Sequence, residues 1–272
     1  MIARDRAGIL HYVFENLDAQ PGVAHLFTTR HGGVSEGAYS SMNMSALGGD
    51  CPDAVARNYQ RIAELGFPLE SMTFSQQVHA CEVRQVKVQD RGKGIARKRD
   101  YSGIDGLVTN DPSISLVTFY ADCVPLYFYD PVQNAIGLSH AGWRGTLGQI
   151  GVNTVEKMTE CYGSKPADIV AGIGPSICKS CFEVDRSLAQ SFAEALDFAE
   201  DFIVDCELKS DKSYIDLQGI NRQSLINAGL VAENIELPGI CTVEKTDTFY
   251  SHRAMGELRG TMAAFLRLHE EN

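Results

Sequence analysis

The sequence lacks any apolar run close to the roughly 18 residues that a membrane-crossing helix needs, so no membrane partner is expected. It lacks internal repeats, low-complexity tracts and Pro- or Ser-rich linkers, which excludes a repeat array or a stalk. Residues 1–6 carry charges with no apolar stretch behind them, so no secretory signal is expected and the cytoplasm is the expected compartment. Basic residues are the minority: 24 Lys and Arg stand against 35 Asp and Glu, a net charge of −11. That balance repels nucleic acid in general, while leaving room for one local anion site. What remains is ordinary globular composition, 44% hydrophobic and 22% charged, which excludes disorder, collagen and coiled coil. A chain of 272 residues buries about three quarters of its unfolded surface and needs no disulfides to be stable. Residues 1–272 are read as one domain.

Cysteine is not scarce. Eight occur, at positions 51, 81, 123, 161, 178, 181, 206 and 241. The spacing is irregular, and free thiols in a reducing compartment are the default. Most are expected to be buried small hydrophobes, with one or two carrying chemistry.

Four segments have helical spacing. Asp53 caps a stripe of Val55, Tyr59, Ile62 and Leu65, ended by Gly66. Leu147, Ile150, Thr154 and Met158 form a second stripe after Gly145. Leu188, Phe192, Ala195 and Leu196 follow Asp185, and Leu217, Ile220, Ser224 and Leu225 follow Asp216 up to Gly229. Strands are expected at 114–120, 124–129, 135–139 and 169–173, from short β-branched and aromatic runs. A tight hairpin joins two of them, so a purely parallel sheet is not expected. Residues 90–101 are polar, basic and glycine-containing, and read as a long exposed loop.

The hairpin carries the chemistry. Asp130-Pro131 at the head of a four-residue turn is a type I signal. A turn centred between Pro131 and Val132 sets Cys123 directly opposite His140, with Cβ atoms about 4.5–5.5 Å apart. A thiolate beside an imidazole suits a metal ion, a nucleophile pair, or simply a buried Cys next to a hydrogen-bonded His. Asp122 precedes the cysteine. Gly142-Trp143-Arg144-Gly145 follows the histidine and opens a helix, where free N–H groups and Arg144 suit an anion. Trp143 reads as core packing ahead of base stacking. A third ligand would complete a metal site with one open position, but spacing does not choose among His79, His31, His252 and the other histidines.

Taken in order, several segments resemble the YfiH/YlmD family, once called laccase-domain proteins. They are His25-Leu26-Phe27-Thr28-Thr29-Arg30 with Gly32-Gly33-Val34-Ser35, Asn43, Gln77-Val78-His79, and Asp105-Gly106-Leu107-Val108-Thr109. Ala121-Asp122-Cys123-Val124-Pro125-Leu126 and His140-Ala141-Gly142-Trp143-Arg144-Gly145 continue the pattern. Gly172-Ile173-Gly174-Pro175-Ser176-Ile177, Cys181-Phe182-Glu183-Val184-Asp185 and Phe249-Tyr250-Ser251-His252-Arg253 complete it. The resemblance implies an α+β fold, a mixed-sheet α/β/β/α layered sandwich. It implies a zinc site of His79, Cys123 and His140; one thiolate and two imidazoles also suit a single copper ion, the alternative metal. It implies a purine nucleoside phosphorylase, taking inosine, adenosine, guanosine or methylthioadenosine with phosphate, and with adenosine deaminase activity beside it. Two places depart from the family pattern: Lys245 stands where an Asn is usual, and the usual Thr-Gly-Arg-Met reads Arg259-Gly260-Thr261-Met262.

Phosphorolysis leaves positive charge on the sugar and negative charge on the departing base, so an anion must be held beneath the ring. Phosphate is expected near Arg30, Arg144 and the glycine-rich amides, with Arg253 further out. Asn43 and Gln77 are expected to contact substrate, and Asp122 to orient it or move a proton.

Other readings compete. A multicopper oxidase needs about ten histidines with His-x-His pairs; seven are present and none is so paired. A cysteine hydrolase would use Cys123 with His140 as base. A zinc-stabilised module would need four protein ligands. Gly172-Ile173-Gly174 lacks the third glycine of a dinucleotide loop, Ile177 standing in its place. Cys178-Lys179-Ser180-Cys181 has the spacing of a deaminase zinc motif but no His-x-Glu partner.

Overall fold

A computed structural model describes residues 1–45 and 48–269. Its frame is built from strands buried on both faces. Along Val124–Asp130, Leu126 and Phe128 enter one core while Tyr127 and Tyr129 enter another. Two buried faces explain why this run is continuously apolar rather than alternating.

Two six-stranded sheets result. The first runs, edge to edge, Ile2–Arg6, Ile9–Val13, Val23–Thr28, Met262–Leu268, Ser115–Tyr120, Met72–Phe74. The second runs Ile235–Glu236, Val170–Ile173, Val124–Asp130, Ala135–Ala141, Gly106–Thr109, Val83–Gln85. Most pairs are antiparallel; Met72–Phe74 with Ser115–Tyr120, and both edge pairs of the second sheet, are parallel. A small third sheet joins Glu183–Asp185, Lys212–Ile215 and Ile203–Asp205.

The sheets stack face to face. Phe27, Leu116, Tyr120 and Leu266 of the first meet Tyr127, Ile136 and Leu138 of the second. On the outer face of the first sheet, helix Pro52–Ala63 lays Val55, Tyr59 and Ile62 against Leu26, Val117 and Phe265. On the outer face of the second, Val155 and Met158 of helix Ile150–Tyr162, with Ile220 and Leu225 of helix Leu217–Asn227, cover Leu126 and Phe128. The order is therefore helix, sheet, sheet, helix, as the family likeness implies. Among the described residues no helix is long and apolar enough to cross a membrane.

Several expectations need correction. The hairpin register differs by two residues: Pro125 pairs with His140, and Val124 with Ala141. The loop is longer than a simple turn because the buried Asp130 Oδ1 accepts bonds from Val132 N at 2.8 Å and Gln133 N at 3.1 Å. Asn134 then takes a left-handed conformation, φ 47°, before the chain re-enters at Ala135. A two-residue shift preserves side-chain parity, so Cys123 and His140 still share a face but lie diagonally rather than opposite.

The helix attributed to Asp53 is led by Cys51, with Pro52 at its first turn. The stripe from Leu147 to Met158 spans two helices, Trp143–Leu147 and Ile150–Tyr162, broken where Gln149 adopts φ 54°. Residues 90–101 are not loose: Asp90 and Lys93 are buried, and Lys93 Nζ lies 2.7 Å from Asp90 and 2.8 Å from Asp100.

Phe128 is fully buried between the second sheet and its helices. Phe128→Ala is expected to lower unfolding free energy by about 3–5 kcal/mol, read from urea denaturation midpoints at unchanged slope.

Candidate metal centre

Asp105 organises the site. It is fully buried just before the Gly106–Thr109 strand. Its Oδ2 accepts the backbone N–H groups of Val78 and Ala80, each at 3.0 Å, and its Oδ1 accepts that of His79, also at 3.0 Å. Three successive amides thus wrap one carboxylate, and the exposed His79 is held in a left-handed conformation, φ 63°. The same Oδ1 lies 2.8 Å from His140 Nδ1, and Asp105 O accepts His140 N at 2.8 Å. With Nδ1 occupied, His140 has its Nε2 to offer. Four donors hold the Asp105 carboxyl below its usual range despite the burial that would raise it.

Cys123 enters at the end of the Val124–Asp130 strand. Its sulfur and the ring nitrogens of His79 and His140 lie within 4.8 Å of one another. Donors around a tetrahedral ion at zinc-like bond lengths stand roughly 3.3–3.8 Å apart, so a small contraction seats a metal ion. The two imidazole rings meet edge to face at 4.9 Å, and the Tyr120 ring backs His140 at 5.5 Å. Gly142 makes room: a Cβ there would stand 2.9 Å from His79 Cδ2 and 3.2 Å from Cys123 Sγ. Burial alone would raise the Cys123 thiol, but the adjacent His140, with His79, brings it down to about 6. Burial would lower His140, but the thiolate and Asp105 hold it up at about 9. Without metal the pair is therefore a thiolate beside an imidazolium.

The remaining candidates divide. Asp122 is buried next to Cys123 at φ 87°. Its Oδ1 accepts Thr242 Oγ1 at 2.7 Å; its Oδ2 accepts Ser251 Oγ at 3.0 Å and Arg253 N at 2.7 Å. It ties the cysteine to residues 242–253. Arg253 is exposed; its Nη1 donates to Cys181 O and its guanidinium lies over Phe182. Arg30 donates to Ser40 O and Thr246 O and lies over Tyr250. Arg144 is exposed and stacks on Trp143 at 4.1 Å, while Trp143 is half-buried against the helical core.

Gln77 clamps Phe119 through both ends of its amide, at 2.8 Å each. Asn43 is buried and bonds Asp50, the Ser45 backbone and Thr261 N. Gln77 thus braces the segment that leads to His79, while Asn43 ties residues 45, 50 and 261 together. Of the other histidines, His25 accepts Phe14 N inside the core and its pKa falls to about 3 through burial; His31 and His252 are exposed and outside the cluster.

Sequence reasoning missed Asp105 as a site residue, although it begins one of the family-like segments. It also missed Thr242 and Ser251. No spacing rule links Asp105 to residues 78–80 and 140; a buried carboxylate preceding a glycine-led strand is the only local hint.

Two outcomes are expected. Asp105→Asn places an amide N–H₂ against donors that need an acceptor, so affinity for a divalent metal should fall about 10–100-fold in a chelator-competition titration. In metal-free protein, alkylation of Cys123 followed by peptide mapping should persist as pH falls below the ordinary thiol value of 9.0 and be half lost near about 6.

Residues 24–269 match the family model described as multi-copper polyphenol oxidoreductase laccase. A Bacillus subtilis protein named purine nucleoside phosphorylase YlmD is 39% identical over 249 residues, covering 90% of this chain and 88% of that protein. A protein named adenosine deaminase RL5, from an unknown prokaryotic organism, is 34% identical over 239 residues, 86% of this chain and 90% of its own. Among solved structures, the YfiH protein of Bacillus licheniformis superposes with a TM-score of 0.89 at 33% identity, covering 98% of both chains. YlmD of Geobacillus stearothermophilus superposes with a TM-score of 0.86 at 33% identity, covering 99% of both chains. Sequence match and layered fold agree across nearly the whole chain, which belongs to the laccase-like YfiH/YlmD family.

Proposed function

We propose that the chain is a zinc-dependent purine nucleoside phosphorylase, in which His79, Cys123 and His140 hold the metal. The observation that carries this reading is the number of donors. Three converge, and among the described residues no fourth His, Cys, Asp or Glu joins them. Three protein ligands with an open position are the pattern of a catalytic ion; four are the pattern of a structural one. His79 is also exposed, so an ion held there would be within reach of solvent and of a substrate. Relatives named purine nucleoside phosphorylase support the reaction class, and the mixed imidazole–thiolate set suits zinc.

A zinc ion bound there would supply a Lewis acid at its open position. The residues supply the rest. Arg30, Arg144 and Arg253 bring cationic donors to phosphate, the incoming nucleophile. A phosphate oxygen bonds to C1′ of the ribose as the C1′–N9 bond breaks, giving ribose-1-phosphate and the free purine. Asp122 keeps Cys123, Ser251 and the Arg253 backbone in one arrangement and acts as a positioning residue. Gln77 braces the segment that leads to His79. Adenosine deamination, the activity in one relative's name, would use the same centre with water as nucleophile at C6.

One observation favours a second reading. Asp105, His140 and Cys123 form a carboxylate–imidazole–thiolate series, the arrangement of a cysteine hydrolase. Chelators separate the two: a hydrolase keeps its activity without metal.

Inosine and adenosine incubated with the protein should yield ribose-1-phosphate only when phosphate is supplied. Product formation indifferent to phosphate removes phosphorolysis. Cys123→Ala is expected to lose metal and activity together. Arg144→Ala is expected to raise the KM for phosphate about tenfold or more, the loss of a charged hydrogen bond of roughly 1.5–3 kcal/mol.

A further inference from the structure

A second group of metal-binding side chains lies outside the site just described. Cys178, Cys181, Cys241 and Glu244 each offer one donor atom, and these four atoms all lie within 4.8 Å of one another. Cys178 Sγ is 3.6 Å and Cys181 Sγ 3.9 Å from Glu244 Oε1. The Cys-x-x-Cys pair brackets a single 3-10 turn, Lys179–Cys181, in which Cys178 O accepts both Cys181 N and Phe182 N. Such a turn aims two thiols at one point. Cys241 comes from the other side, where Thr242 N donates to Ser176 O and the chain runs parallel to residue 176.

Backbone donors converge on one of the sulfurs. Cys241 Sγ receives the Cys178 N–H at 3.4 Å, and the N–H groups of Val243 and Glu244 also point at it. Glu244 forms no ion pair with Lys or Arg among the described residues. Three sulfurs and one carboxylate oxygen that converge on one point are a donor set suited to zinc.

We propose that Cys178, Cys181, Cys241 and Glu244 form a second, closed metal site that takes one zinc ion with three sulfur ligands and one oxygen. Four protein donors leave no position for substrate, so the ion is structural. Thiol protons are released to solvent as it binds. Its place explains its use. The two turns it joins carry Ile177, whose N–H donates to Asp122 O, and Thr242, whose hydroxyl holds the Asp122 carboxylate. Cys181 O accepts Arg253. The ion clips together the wall against which Asp122 and Arg253 stand.

Metal counting on the full chain tests this, independently of any nucleoside activity. Zinc by elemental analysis is expected at two per chain in the unaltered protein, one in Cys123→Ala, one in Cys178→Ser and none in the double variant. Co²⁺ added to metal-free Cys123→Ala should develop the thiolate-to-cobalt absorption of a tetrahedral site, and Glu244→Gln, an exposed change, should shift that visible spectrum without unfolding the chain. Cys178→Ser retaining the full zinc content overturns the proposal. So does a Cys123→Ala protein that gives no thiolate–cobalt band. A disulfide between any two of Cys178, Cys181 and Cys241, found by peptide mapping of the denatured, unreduced protein, would overturn it as well.

Discussion

One buried carboxylate holds the first site together. Asp105 takes three backbone amides from residues 78–80 and the Nδ1 side of His140. Those contacts fix the path of the loop that carries one proposed ligand and the ring orientation of another. A carboxylate inside a protein is costly unless its oxygens are well supplied with donors. Here the supply comes from the groups that must be positioned, so the requirement to satisfy Asp105 and the requirement to aim His79 and His140 are met by the same bonds. His79 sits at positive φ, a conformation that costs a non-glycine residue about a kcal/mol or more. The three-amide nest offsets that cost and gives it a purpose: the ring is turned toward Cys123.

The legible part of the fold was the part governed by local rules. The helices at 186–195 and 217–227 follow from apolar stripes after an aspartate; Asp216 caps its helix by accepting Gly219 N, while Asp185 pairs with Lys212 instead. The central strands follow from runs of Val, Ile, Leu, Phe and Tyr. The hairpin was legible in parity and not in register. Proline at 131 suggests a short turn, but the Asp130 side chain captures two amides and enlarges the loop, which moves every pair by two. Because side chains alternate with a period of two, Cys123 and His140 kept a common face. His79 came from family likeness alone. Its partners are set by a carboxylate 26 residues away in sequence, a relation that no periodicity records. Lys93 shows the same limit in reverse. A basic loop with two glycines looks solvated, yet two aspartates, one before it and one after, draw the lysine inward.

The two cysteine clusters differ in ways that chemistry makes meaningful. The first has two neutral-capable ligands and one thiol, lies at the mouth of the sheets, and stops at three donors. The second has three thiols and a carboxylate and reaches four. Charge separates them too. A divalent ion on the first leaves a net positive centre able to polarise a bound oxygen, whereas on the second it is over-neutralised and has little Lewis acidity left. The expectation that one or two of the eight cysteines carry chemistry treats each alone, and the proposed second site would add three more. Cys178 and Cys181 are three positions apart in sequence, but Cys241 arrives from a segment 60 residues later, brought in by the pairing of residue 176 with residue 241.

Residues 241–253 connect the two clusters, and their anchoring shows how little freedom the wall has. Phe249 and Tyr250 are fully buried, fastening the segment to the inter-sheet core. Thr246 O and Thr248 O hold Arg30 by side chain and backbone, while Thr242 and Ser251 hold Asp122. Between those fixed points lie Val243, Glu244 and Lys245, which have no comparable apolar anchor beyond Val243 at the edge of the helical core. Backbone bonds from Lys245 N to Cys241 O, and from Thr248 N and Phe249 N to Lys245 O, shape this turn. The proposed ion would fasten its sulfur and carboxylate to the facing 3-10 turn. An ion is suited to this place because a hydrophobic side chain there would be half-exposed, and four strong ligand bonds do not need a dry interior to hold.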